Sequence, residues 1–146
     1  YMIQPDLIPE KLESGTLNTP EIAGLCEGKK FIKEIGIDNI KKFEMELLSQ
    51  IIYEFRKLPY VKVYGSNSIE ERSAVISFNI DGVDASIVGE KLNEYGIAVR
   101  TGYHCAPLIH EVINTEYIGT VRVSPGYFNT YYDIERLVEA ITLIYK

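Results

Sequence analysis

Between residues 40 and 55 apolar side chains recur every three or four positions: Ile40, Phe43, Leu47, Leu48, Ile51, Ile52 and Phe55. That spacing lays them along one broad stripe of a helix, which Asp38 or Asn39 can cap and Pro59 ends. A shorter helix is expected before it. Thr19 can cap it, Pro20 suits its first position, Ile22, Leu25 and Ile32 follow at helical spacing, and Gly36 stops it. After Pro59 the period changes to two. "YVKVYG" and "SAVISFNI", the latter with Ala74, Ile76, Phe78 and Ile80 on one face, predict two strands.

Asp81-Gly82 marks a turn, and Asp84 can cap a helix running to Tyr95 with Ile87, Val88 and Leu92 buried and Gly96 at its end. "IAVR" reads as a short strand and "GTVRVSP" as another. The last helix is expected from Thr130, its apolar side formed by Ile134, Leu137, Val138, Ile141 and Leu143. Residues 1–20 hold three prolines and no sustained period, so they read as an extended segment. Ile3, Leu7, Ile8, Leu12 and Leu17 would expose much apolar surface there unless covered by something else. The fold class is α+β, a small sheet of three to four strands covered on one side by helices.

Charge and composition narrow the function classes. The 146 residues are 46% hydrophobic and 25% charged, an ordinary globular balance. A net charge of -6 and only the short basic pairs Lys29-Lys30 and Lys41-Lys42 argue against a nucleic-acid partner. No apolar run approaches the roughly 20 residues a membrane span needs, and no signal peptide opens the chain, so a cytoplasmic location is expected. Two cysteines, Cys26 and Cys105, make no disulfide framework, in keeping with a reducing compartment.

Chemistry concentrates in "RTGYHCAPLIH", residues 100–110. A metal site would draw on His104, Cys105, His110 and Cys26, but no Cys-x-x-Cys pair and no helical His-x-x-x-His pair is present, and in an extended chain adjacent His104 and Cys105 point to opposite sides. A Cys–His nucleophile pair is the second reading, with Cys105 activated by His104 or His110. The third is an ordinary turn with a small apolar cysteine and hydrogen-bonded histidines. The residues by themselves leave these open.

The segment "RTGYHCAP" resembles the Arg-x-Gly-His-His-Cys-Ala loop of cysteine desulfurases, in the class V aminotransferase branch of pyridoxal phosphate (PLP) enzymes. "LESGTLNTPEIAGL" resembles the Glu-x-Gly-Thr-x-Asn segment of that family, and "GTVRVSPGYFNTYYDIERLVEAI" its arginine strand, Tyr-Asn-Thr turn and last helix. The matches occur in the family's order across nearly the whole chain. The resemblance implies the C-terminal small domain of a fold-type I PLP enzyme over residues 21–146, with 1–20 at the junction to a large domain. It implies an enzyme that takes sulfur from L-cysteine as a persulfide on Cys105 and releases alanine, with PLP as the electron sink. Arg122 would hold the substrate carboxylate, Arg100 and His104 would support it and favour the thiolate, and Thr16 would reach the cofactor phosphate in a homodimer. A sulfur-acceptor protein, as in iron–sulfur cluster assembly, would take the persulfide. No metal is implied.

The chain departs from the family pattern twice. Tyr103 stands where many members have the first of two histidines. The Ser-x-His-Lys segment whose lysine binds PLP is not found, so the chain is expected to be part of a longer enzyme and inactive alone. Two alternatives share the visible residues: another class V enzyme, either an aminotransferase or a selenocysteine lyase, and a non-catalytic persulfide carrier or interaction domain.

Overall fold

The computed structural model of the chain describes residues 6–13 and 15–146. They divide into two units, Tyr1–Ile37 and Asp38–Lys146. Among the described residues the first contains the 3-10 turn Glu10–Leu12 and the helix α1, Thr19–Ile35. The cap of α1 is Asn18 rather than Thr19, because the Asn18 side-chain oxygen accepts from the Glu21 amide at 3.3 Å and draws Thr19 into the first turn. Leu12, Leu17, Ile22, Leu25 and Ile32 are all exposed.

The second unit is built from helices α2 (Ile37–Phe55), α3 (Ala85–Glu94), α4 (Pro107–Val112) and α5 (Tyr131–Tyr145), with strands β1 (Val61–Tyr64), β2 (Ile76–Ile80), β3 (Arg100–Gly102) and β4 (Thr120–Val123). The sheet is antiparallel throughout, in the order β1-β2-β4-β3. This is the expected α+β class. α2 starts at Ile37, directly after Gly36, so Asp38 and Asn39 lie inside its first turn instead of capping it.

One face of the sheet is the core. Leu47, Leu48, Ile51 and Phe55 of α2 meet Ile76 and Phe78 of β2, and the Phe55 and Phe78 rings stand edge to face at 4.8 Å. Each such side chain contributes about 1.5–3 kcal/mol by leaving water. α3 and α5 complete the layer with Val88, Leu92, Ile134, Leu137 and Ile141. Two apolar positions expected inside lie outside. Ile87 is exposed because α3 turns Ala85, Val88 and Leu92 inward, and its Gly89 sits so close to β3 that an added Cβ would lie 2.4 Å from the Thr101 methyl. Leu143 is exposed because Ala140, Ile141 and Ile144 fill the buried face of α5.

The expected strand "IAVR" begins only at Arg100. The Ile97 amide is already bonded to the Leu92 carbonyl at 2.9 Å, closing α3, and is not free to join a ladder. Ile97 and Val99 pack on the core instead. α5 starts at Tyr131, one residue after the expected Thr130, which is its cap: the Thr130 hydroxyl and backbone amide form a reciprocal capping box with Asp133.

β3 and β4 are joined by residues 103–119, and the return of this segment is tight. Gly119 has φ of 63°, and an added Cβ would lie 2.8 Å from the Gly102 Cα and 2.9 Å from its carbonyl carbon. Gly119→Ala is expected to destabilise the protein by about 2–4 kcal/mol, from backbone overlap and left-handed strain together. Gly126→Ala, whose nearest neighbour would be 4.0 Å away, should stay within about 0.5 kcal/mol. Urea unfolding of the two variants checks the contrast.

Candidate functional site

The strand register decides what stands on the open face of the sheet. With Ile76, Phe78 and Val121 committed to the core, the alternate residues Ser77 and Arg122 face away from it. Ser77 pairs with Tyr64 on one side and Arg122 on the other, and Arg122 pairs in turn with Arg100. A single row across four strands therefore reads Tyr64, Ser77, Arg122, Arg100. A cleft of about 450 Å3 opens beside this row, lined among others by Tyr64, Arg72, Ser77, His104, Thr120 and Arg122.

The linking segment crosses the same face. Asn79, buried, donates to the Gly119 carbonyl at 3.0 Å and holds the returning end of that segment against β2. At the outgoing end the Ala106 amide donates to the Tyr103 carbonyl at 2.9 Å, and the two residues between, His104 and Cys105, have φ of 51° and 60°. A four-residue turn with both central residues left-handed follows the type I′ pattern, which ordinarily takes Gly or Asn. For non-glycine residues each such position costs on the order of 1–3 kcal/mol. Adjacent His104 and Cys105 are thus not in extended backbone, contrary to the expectation from alternation.

His104 reaches from this turn back to β4. Its Nε2 lies 3.2 Å from both the carbonyl and the hydroxyl oxygen of Thr120. Burial, then the positive field of Arg122, holds its pKa below the ordinary imidazole value; the Thr120 carbonyl opposes this weakly, and His110 and Arg100 add to the lowering. The neutral ring bonds the Thr120 carbonyl by donating from Nε2, which leaves Nδ1 an acceptor. That Nδ1 is buried and has no hydrogen-bond partner among the described residues, and the same is true of the Arg122 Nε. Neither Arg122 nor Arg100 makes an ion pair among the described residues. The cleft thus presents positive charge and unused hydrogen-bonding capacity to a small anionic or polar ligand.

Of the residues singled out from sequence, Arg122 and His104 line the cleft, Arg100 extends their row and is exposed, and Cys105 is exposed between two lining residues, His104 and Ala106. Thr16 lies in the first unit and is exposed. The sequence reading missed Tyr64, Ser77, Asn79 and Arg72. Ser77 and Asn79 were recoverable from the alternation that exposed Ile76 and Phe78 as core, since the polar half of that pattern marks the opposite face. His110, 2% exposed with Nδ1 2.7 Å from the Thr115 hydroxyl, braces the segment from inside. Cys26 is a free, exposed thiol on α1. No helix among the described residues is long and apolar enough to cross a membrane.

A family model described as aminotransferase class-V matches residues 3–137. A probable cysteine desulfurase of Mycobacterium leprae is 32% identical over 133 residues, which cover 91% of this chain and 31% of that protein. A cysteine desulfurase of Cronobacter sakazakii is 35% identical over 138 residues, 94% of this chain and 33% of the relative. Among solved structures, the apo cysteine desulfurase of Thermococcus onnurineus superposes with a TM-score of 0.83 at 30% identity, over 93% of this chain and 34% of that one. The chain spans about a third of the length of the curated relatives it matches.

The lowered pKa of His104 has a consequence for stability. A base that binds its proton less readily when folded stabilises the fold fully above its unfolded value of 6.5, and that contribution is lost as pH falls through 6.5 toward the folded value. The His104 imidazole resonances are expected to titrate with a midpoint below 6.5. The urea midpoint should decline over the same window and lose that decline in His104→Asn. Asp84 and Asp133, lowered from 3.8, act only at more acid pH.

Proposed function

The chain belongs to the aminotransferase class-V family, and from that premise we propose that it is the C-terminal small domain of a PLP-dependent cysteine desulfurase. The observation that carries this reading is the cleft, where Arg122 stands with a buried, unpartnered Nε in register with Arg100, beside the turn that bears an exposed Cys105. The substrate would be L-cysteine. A planar guanidinium suits its carboxylate, and the adjacent Arg100 deepens the positive field that attracts it.

In this reading the Cys105 thiolate attacks the sulfur of the bound cysteine. A sulfur–sulfur bond forms, the carbon–sulfur bond breaks with its electron pair left on carbon, and protonation of that carbon gives alanine and a persulfide on Cys105. Arg100 and His104, on either side of the start of the turn, are the polar groups of this chain that accompany Cys105. The neutral His104 offers its Nδ1 as an acceptor at the cleft. An exposed thiol on a turn suits the onward step as well, in which a sulfur-acceptor protein takes the outer sulfur.

PLP, when bound, supplies an electron sink for the carbanion. None of the residues lining the cleft is a lysine, so the cleft by itself does not fit the aldehyde of PLP. On this reading the amine that holds it belongs to the part of the relatives' length that this chain does not span, and the 146 residues alone are inactive. Thr16 would reach the cofactor phosphate of a second subunit in a homodimer, and the enzyme would work in the cytoplasm. An aminotransferase or selenocysteine lyase would use the same arginines without requiring Cys105 in the same way, and a persulfide carrier would require Cys105 without PLP.

Two measurements separate these. In the full-length, PLP-loaded protein, Cys105→Ala is expected to abolish protein persulfide and to slow alanine release from L-cysteine about a hundredfold or more. Undiminished alanine release would remove the desulfurase mechanism. Incubating the 146-residue chain with PLP, reducing with borohydride and mapping peptides should give scattered, substoichiometric labelling of its ten lysines. Stoichiometric labelling at one lysine would mean that the chain carries a complete cofactor site.

A further inference from the structure

We propose that Tyr103 is a positioning residue for Cys105, a clasp that holds the reactive turn in its left-handed conformation. The inference rests on the desulfurase reading of Cys105 and adds to it a residue that departs from the family pattern. The phenol of Tyr103 donates to the Glu116 carbonyl at 2.6 Å, across thirteen positions of sequence. Its ring stands edge-on to His110, with centroids 5.2 Å apart and planes at 71°. His110 is buried and fixed by Thr115, itself 1% exposed, whose amide also bonds the His110 carbonyl at 2.8 Å. Tyr103 is therefore tied at two points to the far, inner part of the segment that carries α4.

On its other side Tyr103 is the first residue of the turn. Its carbonyl accepts the Ala106 amide, and His104 and Cys105 sit between in backbone that non-glycine residues adopt only when their surroundings impose it. Two anchors impose it here. His104 is held to Thr120 by Nε2, and Tyr103 is held to Glu116 by its hydroxyl. Cys105 is a free, exposed thiol for which no hydrogen bond is found among the described residues, so its direction follows from the backbone between these anchors. A histidine in the place of Tyr103 has a shorter side chain and no hydroxyl to donate to the Glu116 carbonyl, so the tyrosine gives this chain its own means of fixing the turn.

The clasp acts on the thiol's orientation and leaves carboxylate binding to Arg122. Removing the hydroxyl alone should therefore affect the rate of sulfur transfer and leave substrate affinity unchanged. The test is Tyr103→Phe in the full-length, PLP-loaded protein, which keeps the ring against His110. Hydrogen-exchange mass spectrometry should show the Ala106 amide exchanging about fivefold faster, the size expected for loss of one ordinary hydrogen bond. Single-turnover persulfide formation on Cys105 should slow by a similar factor, with KM for L-cysteine and the thermal midpoint unchanged. Unchanged exchange at Ala106 overturns the proposal, as does faster exchange with undiminished persulfide formation. A rise in KM or a fall in thermal midpoint that accounts for the lost rate also overturns it, because the role is then structural only. If the unsubstituted protein forms no persulfide on Cys105, the desulfurase reading itself falls and takes the positioning role with it. That outcome is seen before any variant is compared.

Discussion

The pairing of β3 with β4 is the constraint on which the rest of the site depends. Three residues of an edge strand, Arg100 to Gly102, lie opposite Thr120 to Arg122, and this short ladder sets two things together. It places Arg100 beside Arg122 on the open face. It also brings the two ends of the 103–119 segment so near that Gly119 and Gly102 leave no room for a side chain. Slipping the register by one residue would turn Arg122 toward the hydrophobic layer and Val121 toward water, which the burial of Val121 forbids. The core on one face thereby enforces the chemistry on the other.

That chemistry carries an electrostatic cost. Like charges directly opposite one another in a sheet are destabilising, and burial denies the Arg122 Nε the water that would otherwise solvate it. Burial first, and the Arg122 charge second, lower the pKa of the neighbouring His104, whose Nε2 lies 3.2 Å from the Thr120 carbonyl. No carboxylate among the described residues closes an ion pair with either arginine. A charge pattern left open in this way is relieved by an anion entering the cleft, and the arrangement favours binding over stability of the empty site.

Much of this is legible in the amino-acid sequence. The stripe of α2 and the alternation of β2 are governed by side-chain periods, and both emerged because the core selects strongly at Leu47, Ile51, Phe55, Ile76 and Phe78. Residues 97–99 misled because hydrogen bonding, not hydrophobicity, decides a strand, and the Ile97 amide is spent on Leu92. α4 was invisible because six residues are too few to display a period, and Pro107 reads equally well as part of a loop. The turn at His104 and Cys105 lacked the Gly or Asn that would announce it. Cys105 and Arg122 were singled out by likeness to a family. Geometry alone supplied the register with Arg100 and the hydrogen bond from Asn79 to the Gly119 carbonyl. Thr16, in the first unit, was singled out by the same likeness.

The turn and the arginine row also differ in what holds them. Arg122 is fixed by backbone pairing on both sides, to Ser77 of β2 and to Arg100 of β3, and its neighbour Val121 is locked in the core. Cys105 is exposed and hangs on side-chain hydrogen bonds, one of them from a half-exposed tyrosine to a backbone carbonyl. Such bonds open at far lower cost than a packed layer does. On the proposed function this division is chemically sensible. The substrate's carboxylate must be held still while its sulfur is attacked, whereas the sulfur-bearing turn has to meet first the substrate and then an acceptor outside the cleft. A thiol mounted on the rigid row would serve the first encounter only.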